Sequence, residues 1–321
     1  MPGAFVRGEW KTEWQWQNTD GQFVRQATSF RDWVTADGSS GFPAEAGRYH
    51  LYIAWACPWA HRTAIMRSLK GLEGTIGLSA VGSFMGEDGW AFYDEPGVVP
   101  DPVNGAHYLR EIYAKADPDY TGRVTTPLLW DKEAATIVNN ESREIIRMLD
   151  TEFGEFATTD ADFLPEDLRD EVDATIDAIY EPVNNGVYRT GFATTQGAYD
   201  EAVADVFAAL DYWERILAGR RYLCGGRITE ADWCLFPTLV RFDAVYYGHF
   251  KCNLRRIVDY PNLWGYLKDL YQQPGVADTV NMEHIKKHYY GSHESINPTR
   301  IVPRGPLLDF EEPHDRELLF D

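Results

Sequence analysis

The chain has 321 residues, too many for one small core and enough for two domains. Its formal net charge is -20, from 50 Asp and Glu against 30 Lys and Arg; a surface this acidic repels phosphate backbones and anionic lipid, so neither nucleic acid nor membrane is expected as a partner. The four cysteines, Cys57, Cys224, Cys234 and Cys252, form no C-x-x-C pair and have no histidine cluster at zinc spacing, so no metal is expected.

The N-terminal stretch MPGAFVRGEWKTEWQWQN lacks the apolar core of a signal peptide. No apolar run approaches the roughly 20 residues that span a bilayer, and a reduced, cytoplasmic protein is the expectation. Residues 1–45 carry Trp10, Trp14, Trp16, Phe23, Phe30 and Trp33 with little helical or strand period. They read as a long arm packed over the body, its rings filling gaps. "RYHLYIAWA" (48–56) reads as a buried strand and "PWAHRTAIMRSLKG" (58–71) as a helix, with Pro58 in its first turn and Gly71 at its C-terminal end. "TIGLSAVG" (75–82) is a second strand, completing a βαβ unit.

Residues 83–122 break this rhythm with Gly, Pro, Asp and scattered aromatics and read as an inserted loop. "VTTPLLWD" (124–131) and "ATIVNN" (135–140) are two short strands, and "ESREIIRMLDTEF" (141–153) is a helix that closes a small α/β domain over 46–155. The remainder, 165–321, reads as all-helical. "PEDLRDEVDATIDAIYEPVNNGVYR" (165–189), "TQGAYDEAVADVFAALDYWERILAG" (195–219) and "NLWGYLKDLYQQ" (262–273) show helical apolar spacing. "ITEADWCLFPTLVRFDAVYY" (228–247) opens with Thr229 and Asp232, a capping signal. The tail from Ile296 holds four prolines and reads as extended.

One cysteine stands apart. Cys57 falls where the first strand hands over to a helix and is followed at once by Pro58. The positive end of a helix dipole and its unpaired N–H groups favour thiolate over thiol, and thiolate is the nucleophile. His61 and Arg62 stand one turn on and add positive potential. Cys224, Cys234 and Cys252 read as buried small hydrophobes. In C-P-W-A, Ala60 stands where a dithiol enzyme has its second cysteine, so a mixed disulfide on Cys57 must be cleared by an external thiol, for which glutathione is the abundant cytosolic choice. Pro127, opening a strand beside a reactive thiol, reads either as a cis-proline that turns the Thr125–Thr126 backbone towards a peptide-like ligand or as edge protection. Glu141 and Ser142 open a helix. Their chemistry suits the ammonium and carboxylate of a γ-glutamyl group, but taken alone the pair reads as ordinary capping.

Together these elements resemble a glutathione transferase: a thioredoxin-like N-terminal domain followed by the family's all-helical half. The reactive cysteine is similar to that of the omega class. The fuller resemblance is to the xi class, the glutathionyl-hydroquinone reductases, and is carried by "AWACPWAHR" (54–62), "GW" (89–90), "RVTTPLLWD" (123–131), "NNESREI" (139–145), "NNGVYRTGFA" (184–193) and "HIKKHYYGSH" (284–293). The resemblance implies Cys57 as nucleophile and Trp90, Arg123, Val124, Glu141 and Ser142 as glutathione-binding residues. It implies that Tyr188 and one of the neighbours Tyr289 and Tyr290, with Tyr289 favoured, face the ring of an aromatic glutathione adduct. It implies a homodimer. The activity expected is reduction of S-glutathionyl-hydroquinones through a Cys57–glutathione mixed disulfide. The alternatives are an omega-like thiol transferase or dehydroascorbate reductase and a non-catalytic binding protein on the same fold.

Overall fold

The structure, a computed structural model, describes residues 3–12 and 18–320; Trp14 and Trp16 lie outside them. The arm is not featureless, contrary to the sequence expectation. It forms two antiparallel hairpins, β1 (Ala4–Val6) with β2 (Glu9–Lys11) and β3 (Asn18–Thr19) with β4 (Gln22–Phe23). Both turns are two residues long with positive φ at each: Arg7 (51°) and Gly8 (75°), then Asp20 (54°) and Gly21 (82°). That is the geometry a tight hairpin turn demands, and D-G is its sequence signal. Strands of two or three residues are too short to display alternation, which hid the hairpins. The arm's rings do fill gaps: Phe5 meets Trp10 and Tyr120 edge-on, and Phe30 packs on Tyr113 and Tyr120.

A four-stranded mixed sheet follows, from β5 (Tyr49–Ile53), β6 (Gly77–Ala80), β7 (Leu128–Asp131) and β8 (Thr136–Asn139), in the order β6-β5-β7-β8. β5 and β6 are parallel and the other pairs antiparallel. Helix α1 (Pro58–Leu69) makes the parallel crossover. Pro58 occupies its first turn, and Gly71 (φ 62°) follows its C-cap in the left-handed region. The insertion is not all loop. It contains α2 (Leu109–Ala116), whose Leu109, Ile112 and Tyr113 are buried. Two helical turns flanked by Gly, Pro and Asp give too short a periodic window to read in advance. Helix α3 (Ser142–Thr151) packs against α1. This is the thioredoxin-like half that the resemblance implied.

The helical half contains α4 (Arg169–Ile179), α5 (Gly186–Gly191), α6 (Gln196–Leu217), α7 (Glu230–Arg241) and α8 (Pro261–Tyr271). Residues 165–189 are not one helix: a π-helical segment, Tyr180–Asn184, separates α4 from α5. Pro182 lies inside it and supplies no N–H, so the regular ladder cannot continue. A second π segment, Phe242–Tyr246, prolongs α7. The α7 capping box forms as expected: the Thr229 N–H donates to Asp232 Oδ2 at 2.7 Å, while Asp232 Oδ1 accepts from the Leu223 N–H (2.9 Å) and the Tyr266 hydroxyl (2.8 Å). The tail ends in a 3-10 turn, and Arg316 anchors it by donating to the carbonyls of Leu217, Arg220 and Arg221. Among the described residues no helix is long and apolar enough to cross a membrane.

The described chain divides into two compact units. One gathers Gln26–Ala161 and Asp278–Val302 with the first hairpin; the other gathers Asp162–Ala277, the second hairpin and the tail from Pro303. Helix α9 (Met282–Ser292) therefore groups with the sheet domain, although its position in the chain suggested the helical half. Four contacts with residues 83–97 fasten it there. His284 Nε2 lies 2.6 Å from Pro96 O, Lys287 donates to Glu95 at 3.1 Å, His288 Nδ1 lies 3.2 Å from Ser83 O, and the Met85 N–H donates to Ser292 Oγ at 2.9 Å. Helical spacing reveals an element but not its partner.

Glu95 is the centre of this fastening. Burial alone would raise its carboxyl, but the Ser83 N–H, Lys287, the Ser83 hydroxyl and His284 outweigh burial and bring it down to about 2 from 4.5. A depressed carboxylate stabilises the fold fully above about 4.5, and that contribution drains away as pH falls towards about 2. The urea stability of the wild type should exceed that of Glu95→Gln by up to about 3 kcal/mol at neutral pH, with the difference shrinking through this window. A difference of constant size across the window would contradict the assignment.

Candidate active site

Cys57 is the N-cap of α1, with extended backbone (φ -76°, ψ 121°) and a side chain that makes no capping bond. Its N–H donates to Ala54 O at 2.9 Å, and its carbonyl accepts the His61 N–H at 3.0 Å. The sulfur is thus not used to cap the helix at whose N-terminus it stands. Instead Sγ lies 3.4 Å from Thr126 O, and the residue is half-buried. Cys224, Cys234 and Cys252 are buried, and burial pushes the Cys224 and Cys252 thiols up. Cys57 is the accessible thiol of the four.

The Thr126–Pro127 peptide bond is cis. Around it stand polar groups with no partner among the described residues. The Thr126 hydroxyl is buried and unbonded. Val124, two residues upstream, has a main-chain N–H and C=O that meet nothing. Buried polar groups rarely go unpaired, so a peptide-like ligand aligned with this segment fits. Cys57, Trp90 and Val124 pack on one apolar cluster with Ala56, Tyr52 and Trp130. Arg123 is half-buried, and its carbonyl accepts the Tyr120 hydroxyl at 2.9 Å.

Glu141 is the N-cap of α3. Its Oε1 accepts the Arg143 N–H at 3.3 Å, and its Oε2 accepts the Thr28 hydroxyl at 3.3 Å. Ser142 Oγ accepts from Arg62 Nη1 at 3.3 Å, and the Arg62 guanidinium lies 4.5 Å from the Trp59 ring. A carboxylate beside a hydroxyl, a guanidinium and a helix N-terminus suits an α-amino acid headgroup, its ammonium on Glu141 and its carboxylate on the others. Thr28 and Arg62 were not anticipated as members of this corner. The sequence places Arg62 near the thiol as a positive charge; in the structure its guanidinium hydrogen-bonds Ser142. His61 is also spoken for, at 2.8 Å from Thr279 Oγ1.

Trp90 is buried with one face on the His288 imidazole, ring centroids 4.6 Å apart. Its indole N–H has no partner among the described residues. Tyr289 is buried against His293 and His288, and Tyr290 is half-buried, its phenol pushed up by that burial. Tyr188 belongs to the second unit, in an aromatic cluster with Phe23, Phe192, Tyr246 and Phe250. The Arg25 guanidinium lies 4.8 Å from its ring and is held by Asn185 Oδ1 at 2.8 Å. Both π segments border this cluster, one ending at Asn184 and the other at Tyr246. Nothing in the spacing of "RFDAVYY" distinguishes Tyr246 from an ordinary core residue. Among the described residues no group of three or more His, Cys, Asp or Glu side chains gathers as a metal site.

Residues 56–152 match the family model described as Glutathione S-transferase, N-terminal domain, and residues 196–269 match Glutathione S-transferase, C-terminal domain. The chain is 52% identical over 326 residues to glutathionyl-hydroquinone reductase YqjG of Escherichia coli (strain K12), covering 99% of each. The glutathione-bound structure of YqjG superposes with a TM-score of 0.92 at 50% identity, over 99% of this chain and 100% of that one. Glutathionyl-hydroquinone reductase PcpF of Sphingobium chlorophenolicum is 53% identical over 305 residues, covering 95% of this chain and 96% of its own. A Xi class GST from Natrialba magadii has a TM-score of 0.94 at 55% identity, over 99% and 97% of the two chains. The chain belongs to the glutathione S-transferase family and, within it, to the Xi class.

Proposed function

We propose that this chain reduces S-glutathionyl-hydroquinones to hydroquinones, with glutathione as co-substrate. The observation that carries the reading is a single accessible thiol, Cys57, at a helix N-cap whose capping role it leaves unfilled, with Ala60 where a second thiol would stand. Its relatives YqjG and PcpF are glutathionyl-hydroquinone reductases, which supports the same reading. In this reading Glu141 pairs with the γ-glutamyl ammonium. Ser142, Arg62 and the N-terminus of α3 take its carboxylate. The Val124 main chain meets the cysteinyl amide, the Trp90 indole N–H donates to the peptide, and Arg123 clasps the glycyl carboxylate bidentately.

Cys57 attacks the glutathione sulfur of the adduct. An aryl carbon is a poor leaving group, but the keto tautomer of the ring carries a proton on the carbon that bears sulfur. Breaking that carbon–sulfur bond sends its electron pair into the carbonyl, and the fragment departs as a phenolate that takes a proton to become the hydroquinone. Tyr188, with Tyr289 or Tyr290, donates hydrogen bonds to the oxygen as charge develops there. A Cys57–glutathione disulfide remains. A second glutathione thiolate attacks it, releasing glutathione disulfide and restoring Cys57. The balance is one adduct and one glutathione in, one hydroquinone and one glutathione disulfide out. The same proposal includes a homodimer, supported by family likeness and read by light scattering, and a cytoplasmic location, supported by four cysteines without disulfides.

Replacing Cys57 by Ala should abolish turnover while glutathione still binds. Tyr188→Phe should slow hydroquinone release about 100- to 1,000-fold, the loss of one well-placed donor, and leave exchange with a small disulfide nearly unchanged. Equal losses in both reactions, or dehydroascorbate reduced faster than the glutathionyl adduct, would point instead to a general thiol transferase.

A further inference from the structure

His288 takes no part in the chemistry above, yet it covers one face of Trp90, the two planes inclined by 31°. It is buried, and its Nδ1 lies against the Ser83 carbonyl. A carbonyl only accepts, so Nδ1 carries the proton and the tautomer is fixed. Ser83 is itself immobilised, its N–H and its hydroxyl each donating to Glu95 at 2.9 Å. The flanking residues of α9 are tied down too, Lys287 to Glu95 and Ser292 to the Met85 N–H. The imidazole is therefore a fixed plate held by the same loop that presents Trp90. On the indole side, the Trp90 carbonyl accepts the Leu109 N–H at 2.9 Å, which fixes the main chain but leaves the side-chain torsions open. The indole packs in the apolar cluster with Val124 and Tyr52 and carries the His288 imidazole on one face, and an indole N–H with no partner among the described residues is a donor open to a ligand.

We propose that His288 is a positioning residue for glutathione: it sets the plane of the Trp90 indole so that the indole N–H is presented to the tripeptide. This rests on the reading of Trp90 as a glutathione contact. His288 acts through Trp90 and touches no reacting atom, so its signature is in binding rather than in the bond-breaking step. A residue that merely filled space in the wall would lower stability without coupling to Trp90.

The test is calorimetric titration of glutathione into the full chain and into His288→Ala, His288→Phe, Trp90→Ala and the His288→Ala/Trp90→Ala double variant. His288→Ala should weaken binding about 5- to 10-fold, and Trp90→Ala at least as much. The double variant should bind no more weakly than Trp90→Ala alone. His288→Phe, which keeps a ring over the indole, should recover part of the loss and remains informative if the alanine variant folds poorly. Losses that multiply in the double variant overturn the positioning role while leaving Trp90 as a contact. Unchanged affinity in His288→Ala or in His288→Phe together with the alanine variant overturns it as well. Unchanged affinity in Trp90→Ala overturns both the role and the reading beneath it.

Discussion

At residue 57 the chain leaves the central strand of a mixed sheet and enters a helix within a few bonds. Ile53 closes β5, a tight turn through Ala54 O follows, and Pro58 starts α1 without an N–H to bond. The N-cap of such a helix ordinarily spends its side chain on the exposed N–H groups. Cysteine there spends nothing: the sulfur makes no capping bond and rests near Thr126 O instead. The same backbone arrangement that stabilises a helix start with serine or aspartate here leaves a nucleophile beside the positive end of a dipole. The remaining features of the first unit matter to function insofar as they bring a sulfur-bearing peptide to that point.

In the proposed reading they do so through ends of elements rather than through their middles. The N-terminus of α3 offers Glu141 and Ser142, and the segment before β7 offers the Val124 main chain. The arm and α9, from opposite ends of the sequence, brace these positions: Thr28 bonds Glu141, and α9 grips the loop that carries Trp90. Ends carry the unpaired N–H and C=O groups that a peptide can satisfy, while strands and helices hold them in place. The aromatic cluster around Tyr188 is organised in the same spirit. Two π segments interrupt otherwise regular helices beside it, at Tyr180–Asn184 and Phe242–Tyr246, and segments of this kind are frequent at functional sites.

How much of this could be read in advance depended on whether the signal was local. The βαβ unit, the Pro58 start and Gly71 stop of α1, and the Thr229–Asp232 box are written in adjacent residues and appear where expected. Cys57 stood out for the same reason, since a cysteine before proline at a strand–helix junction is a local pattern. The hairpins of the arm and helix α2 were missed because each is shorter than the window that reveals a period. The allegiance of α9 was missed because it depends on Glu95 and Ser83, nearly two hundred residues away in sequence. The bond of Arg62 to Ser142 and the stacking of His288 on Trp90 are likewise products of folding that no spacing encodes.

If one accessible sulfur does the chemistry, the covalent intermediate must be trappable on it. Mixing the protein with one equivalent of a glutathionyl-hydroquinone in the absence of free glutathione isolates the first half of the cycle, because nothing remains to clear the enzyme. Mass spectrometry of the intact and digested chain should then find one glutathione on Cys57, matched by one equivalent of free hydroquinone, and both should persist until glutathione is added. Hydroquinone released without that adduct, or an adduct on Cys224, Cys234 or Cys252, would contradict the account.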